Sequence, residues 1–312
     1  MKSKRWLEAA RYLNPRFWIR LAEEFQWRMD DLRALRRRVD ALESRARRLR
    51  DDLIAAKELV EGHGTEESRL LRHDGFLHEE AVILGSGPSV LELNGPEREH
   101  VRRQATIGMN RYYLFEDLID VVPRYVYIGD YGPFTTELFL TYCRKARTSP
   151  QPPVFLLESY YRLLAPAYLK TLFFHRRDGR TNLKWGLSLD GTLFNHRGSL
   201  TTLLNVCGIL RLAPHIRLVG VDLERPGHFF DGQRDRYPQF FGALDDKANR
   251  TGFHSTMVYL EEMGEVAKES ILTHWAEIMG HLANTGIRVT CHRSDNPLVR
   301  KGLCDHSPIP IR

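Results

Sequence analysis

Six segments carry residues that could do chemistry, and four of them directly follow a short apolar run. Gly85-Ser86-Gly87-Pro88-Ser89 follows Ala81-Val82-Ile83-Leu84, a run with the length and β-branching of a buried strand. Glycines at such a place let the backbone approach a ligand and aim N–H groups at an anion, so a phosphate-bearing ligand above this turn is the expected chemistry. Asn110 closes the next run, where its amide could read a base or sugar without charge; it would equally serve as the cap of a helix starting at Arg111. Asp130 follows the third run, suited to a metal, to a sugar hydroxyl or to an N-cap. His196-Arg197-Gly198-Ser199 opens a helical pattern and offers N–H groups, a hydroxyl and nearby charge to an anion, with a plain N-cap as the alternative. Asp222 and Glu224 follow Leu218-Val219-Gly220-Val221, and His228 and Asp231 come next, the densest polar cluster after any run. His254, in Gly252-Phe253-His254-Ser255, has the chemistry of a general base that titrates near neutrality.

Two common nucleotide signatures do not fit. Val90 stands where a dinucleotide fingerprint has its third glycine, no acid ends the second strand, and no Gly-Lys-Ser/Thr follows to make a phosphate loop of the Walker type.

The elements that must position these residues alternate. Strands are expected at 81–85, 104–109, 124–129, 153–157, 216–221 and 286–291, and helices at 111–120, 134–146, 159–170, 199–211 and 265–284. Such alternation predicts a Rossmann-like, mostly parallel sheet with helices on both faces, spanning 77–312, and places ligands beyond the carboxyl ends of the strands. The stretch 225–252, rich in Arg, Asp, Gly and aromatics, has the length of a lid or binding loop.

The first 76 residues differ in kind. Residues 1–50 hold 15 Lys and Arg against 7 Asp and Glu, in a chain whose total charge is +6, so the rest is slightly acidic and the basic balance belongs to the arm. Residues 1–24 set Trp6, Tyr12, Phe17 and Trp18 among arginines, a composition suited to an anionic membrane surface. In 25–60, Leu32, Leu35, Val39, Leu42, Ala46, Leu49, Leu53, Ala56 and Val60 step by threes and fours, which specifies a coiled coil and so a homo-oligomer, with packing of the seam against the chain's own domain as the alternative. No DNA-reading pattern accompanies these arginines, and no nucleic-acid partner is expected. Residues 61–76 read as a linker. The four cysteines, Cys143, Cys207, Cys291 and Cys304, lack metal-site spacing and read as free thiols. With no apolar run of membrane-spanning length and no secretory signal pattern, the expected location is cytoplasmic, with the arm able to hold the protein on the inner face of a membrane.

In their order, these pieces resemble the bacterial sialyltransferases of glycosyltransferase family 42 and the wider DUF115 group of glycosyltransferase-like and MptE-like proteins, over roughly residues 80–300. The sialyltransferases carry Gly-Asn-Gly-Pro-Ser where this chain has Gly85–Ser89, an Asn with aromatics after it like Asn110-Arg111-Tyr112-Tyr113, a helix-opening serine like Ser199, a strand ending like Gly220-Val221-Asp222, and a His-Ser pair like His254-Ser255. The resemblance implies a GT-A-like fold and a metal-independent transferase that moves an acidic sugar, a sialic-acid-like nonulosonic acid or Kdo, from a CMP-sugar to a glycan, lipid-linked or glycoprotein acceptor. It implies that Gly85, Ser86, Gly87, Pro88, Ser89, Asn110 and Ser199 bind the nucleotide. It implies His254 as the base that deprotonates the acceptor hydroxyl. Asp130, His196, Arg197, Asp222 and Glu224 would face the sugars. The family's two tyrosines beside the leaving phosphate fall on Glu224 and His228, where His228 could donate in tyrosine's stead, and the family's arginine falls on His196. Two alternatives stand beside it. One is an MptE-like pterin pyrophosphokinase using ATP and Mg²⁺ held by Asp130, Asp222 and Asp231. The other is a non-catalytic coiled-coil scaffold with a degenerate Rossmann-like domain.

Overall fold

The chain divides into two units, Met1–Gly62 and His63–Arg312. The computed structural model describes residues 75–310 apart from 130–132, 176–181, 197, 224–226, 234 and 238–270; in the first unit it describes Arg36 and Val39, both helical. The arm, the other heptad positions and most of the linker lie outside the described residues.

The second unit is built on eight parallel strands: β1 (Glu80–Leu84), β2 (Ala105–Met109), β3 (Tyr125–Ile128), β4 (Val154–Glu158), β5 (Lys170–Phe174), β6 (His215–Val219), β7 (Arg288–Cys291) and β8 (Asp305–His306). Their order across the sheet is β5-β4-β3-β2-β1-β6-β7-β8, the doubly wound arrangement of a Rossmann-like fold. The chain works outward from β1 to β5, returns to pair β6 in parallel with β1, and then works outward the other way. The point of reversal, between β1 and β6, is where such sheets leave a crevice at their carboxyl edge.

Burial explains why β1 is central. Ala81 and Ile83 enter one apolar cluster while Val82 and Leu84 enter another, and all four are fully buried. A strand covered on both faces must be apolar at every position, not at alternate ones. Helix α1 (Gly95–Arg103) and helix α2 (Pro133–Thr148) contribute Val101, Leu138, Phe139 and Tyr142 to the cluster of Val82. Helix α3 (Ser199–Leu210) and helix α4 (Trp275–Asn284) contribute Leu203, Leu204, Trp275, Ile278 and Leu282 to the cluster of Ile83. A short helix α5 (Pro297–Arg300) follows β7. All four cysteines are free, three of them buried. Among the described residues, no helix is long and apolar enough to cross a membrane.

Two expected helices are not formed. Residues 110–118 make two 3-10 turns, Asn110–Leu114 and Glu116–Leu118, because Tyr112, Tyr113, Leu114 and Phe115 are all buried and an α-helix would carry one of them into solvent. Residues 159–170 stop after one 3-10 turn, Ser159–Leu163, since Pro166 disfavours helix at the residue before it. The chain then enters β5, a strand the periodicity did not show. Helix α1 is likewise an addition. The sequence carries its start as Asn94-Gly95-Pro96-Glu97, in which the Asn94 side chain accepts from the Glu97 N–H at 3.0 Å and Glu97 accepts from the Asn94 N–H at 2.9 Å.

Candidate functional site

The carboxyl ends of β1 and β6 are locked to each other at the reversal point. The Gly85 N–H donates to the Val219 carbonyl and the Gly87 N–H to the Gly220 carbonyl, both at 2.8 Å. A Cβ on Gly85 would lie 2.2 Å from the Gly220 oxygen, so only glycine permits this approach. Gly220 itself has φ +67°, and there the chain turns back toward Val90. Asp222 then reaches over the turn: its two carboxylate oxygens accept from the Ser89 N–H at 2.7 Å and the Ser89 hydroxyl at 2.5 Å. The glycine turn therefore already holds an anion, supplied by the chain. Ser89 is buried and fully engaged by it, which leaves Ser86, Gly87 and Pro88 as the half-buried part of the turn.

Asn110 stands at the end of β2, next to β1. It does not cap a helix. Its backbone is left-handed, φ +48°, a conformation that Asn tolerates better than most residues. This aims the amide across the sheet edge, where Nδ2 donates to the Ser199 hydroxyl at 3.3 Å. Its Oδ1 is buried and has no hydrogen-bond partner among the described residues. Buried acceptors are nearly always satisfied, so this unfilled oxygen at the carboxyl edge of the sheet can accept from a further donor. Ser199 opens α3 after Gly198, at φ +140°, and among the described residues no side chain caps this helix start. Its N–H groups and macrodipole thus favour negative charge beside Asn110.

The loop before α3 is held by a buried amide. The Asn205 Oδ1 accepts from the Gly186 and Phe194 N–H groups at 2.9 and 2.8 Å, and its Nδ2 donates to the Gly186 carbonyl. His196 is 1% exposed and packs edge-on against His274 at 4.7 Å, under the helix start and not on the crevice surface.

Beyond β6, the Phe229 N–H donates to the Ser86 carbonyl at 3.0 Å, which ties this segment to the glycine turn. Phe230 stacks on Phe115 at 4.3 Å, and His228 stacks on Phe230 at 4.9 Å. Asp231 accepts from the His228 N–H at 2.6 Å and lies 3.3 Å from Nδ1 of the same ring. Ring stacking and the carboxylate together hold the plane of the His228 ring.

The geometry thus brings Gly85–Ser89, Asn110, Ser199, Asp222 and His228 to one edge of the sheet. Asp130, Arg197, Glu224 and His254 lie outside the described residues. Asp222 was expected to face sugar or metal, but its carboxylate is occupied by Ser89. That contact joins residues 133 positions apart and has no local signal, whereas the His228-x-x-Asp231 spacing could have suggested the second pair. Among the described residues, no group of three His, Cys, Asp or Glu has the arrangement of a metal site. No protein-family model and no curated protein matches the chain.

Proposed function

We propose that the chain is a glycosyltransferase that moves an acidic sugar from a CMP-sugar donor to a cell-surface glycan, lipid-linked or glycoprotein acceptor. The observation that carries this reading is the pairing of Asn110 with Ser199 at the uncapped start of α3, with the buried, unsatisfied Oδ1 beside it. A nucleoside monophosphate has the complementary groups: an anion for the helix start and ribose or base donors for Oδ1. Because Asp222 already supplies a negative charge at Ser89, the uncharged part of the ligand lies over the glycine turn and the phosphate lies toward α3. In the transfer, the bond from sugar to phosphate breaks, the acceptor oxygen bonds to the sugar, and the acceptor's proton goes to His254, the base implied by the family resemblance. His228, oriented by Asp231, hydrogen-bonds the departing phosphate. Transfer of this kind uses no resident cofactor. The heptad makes the enzyme an oligomer, and the aromatic, basic arm brings it to membrane-borne acceptors.

The test is a thermal-shift panel of CMP, CDP, UDP, GDP and ATP on the full chain. CMP at a hundredfold excess over its Kd should raise Tm by roughly 5 °C, with the others weaker. A flat response to all five overturns the reading. Stabilisation by ATP alone, dependent on Mg²⁺, would replace it with the pyrophosphokinase.

A further inference from the structure

Several side chains tie the 305–310 segment to the body of the sheet, Arg288 among them through Asp305 at 2.8 Å. Arg217, on β6 and 3% exposed, donates through its guanidinium to the Ser307 carbonyl, to the Ser307 hydroxyl at 3.0 Å and to the Pro308 carbonyl at 2.9 Å, while its Nε donates to Glu80 at 2.9 Å. Ile309 is buried in the same apolar cluster as Val82, Val90 and Val101. Its N–H donates to Nδ1 of His292 at 3.3 Å. An N–H can donate only to a bare ring nitrogen, so His292 is neutral here and carries its proton on Nε2. That nitrogen lies 3.6 Å from Glu97, whose other oxygen closes the capping box of α1. The next residue, Arg293, pairs with Glu92, three residues before the helix. His292 therefore stands between the 305–310 segment and the stretch that runs from the glycine turn into α1.

We propose that His292 is a proton-operated latch: neutral, it holds the 305–310 segment against the sheet, and protonated, it releases it. Protonation would put an N–H on Nδ1 facing the Ile309 N–H, two donors head to head. The charged groups around the ring decide the balance. Glu97 from α1 favours the imidazolium. Arg217 from β6 and His306 from β8 oppose it, and His306 also donates to the His292 carbonyl at 3.1 Å. Arg217 is itself faced by Glu80, against which His100 and His215 each lie at 3.4 Å; Arg293 is engaged by Asp295 as well as Glu92. Burial adds to the opposition and holds the imidazole below its ordinary value.

Hydrogen exchange on the full chain tests it, with rates expressed relative to those of an unstructured peptide at the same pH. Between about pH 7.5 and about pH 5, protection of the Ser307 and Ile309 amides should fall roughly tenfold, while that of β1 holds. In His292→Gln the side-chain oxygen accepts from Ile309 and does not titrate, so protection should stay high at both values. Unchanged protection in the wild type, or an equal fall in His292→Gln, overturns the proposal. Should His292→Gln lack a cooperative melt, imidazole ¹⁵N shifts of the wild type answer the same question. Loss of the Ile309 amide at the midpoint of His292 titration supports the latch, and an amide still protected after that midpoint overturns it.

Discussion

Asn110 combines a backbone demand with a chemical one, and the two can be separated. Its φ of +48° costs an ordinary residue about 1–2 kcal/mol and costs glycine nothing. Its amide offers a ligand an unsatisfied oxygen and holds the Ser199 hydroxyl. Asn110→Gly should therefore unfold at the same urea concentration as the wild type, or a higher one. Asn110→Ala should lose roughly 1 kcal/mol. Both should lose the CMP-induced rise in Tm. A glycine variant that keeps that rise would show that the amide does not contact the nucleotide. As a residue after a strand, Asn110 was legible in the sequence. The left-handed turn that aims it was not, because an Asn before Arg-Tyr-Tyr looks the same locally whether it caps a helix or replaces one. Ser89 teaches a related lesson: its hydroxyl looks available in the sequence, and only the return of β6 beside β1 brings Asp222 onto it.

At the scale of elements, helix α1 does more than its nine residues suggest. It starts one step after the glycine turn and its preceding 3-10 segment, and its capping box fixes the direction in which the chain leaves the crevice. Asn94→Ala removes the acceptor for the Glu97 N–H and should cost about 1 kcal/mol in chemical denaturation. Six of the eight strands were legible within a few residues because each is a short apolar run and the sheet is buried on both faces. The two missed strands are those that local pattern serves worst. In β5 the run Lys170–Phe174 follows Pro166 and merges with a helix-like stretch, and β8 is two exposed residues that pair with β7. The α1 start is legible in the sequence as Asn94 and Glu97, a box that needs no tertiary information.

At the scale of the whole described unit, buried titratable groups pull stability in opposite directions with pH. Burial raises the Glu116 carboxyl from 4.5 to about 7, although Lys145 sits 3.1 Å away and pulls it down. Between these two values the unfolded chain gives up this proton and the folded chain keeps it, so Glu116 makes the fold less stable as pH rises from 4.5 to 7, by about 3 kcal/mol in all. His215 and His292 act the other way. Burial lowers both below the ordinary 6.5, against the pull of Glu80 and Glu97 respectively. Below 6.5 the unfolded imidazoles take up protons that the folded ones refuse, so their contribution is whole above 6.5 and is lost as pH falls. The two effects overlap below 6.5 and oppose each other in the wild type. Removing one should expose the other. Glu116→Gln, whose amide oxygen still accepts from Lys145, should move the pH of maximum stability upward. His292→Gln should move it downward. Urea midpoints measured in half-unit steps across this range decide the matter, and shifts of the same sign in both variants would mean that neither group titrates as its surroundings dictate.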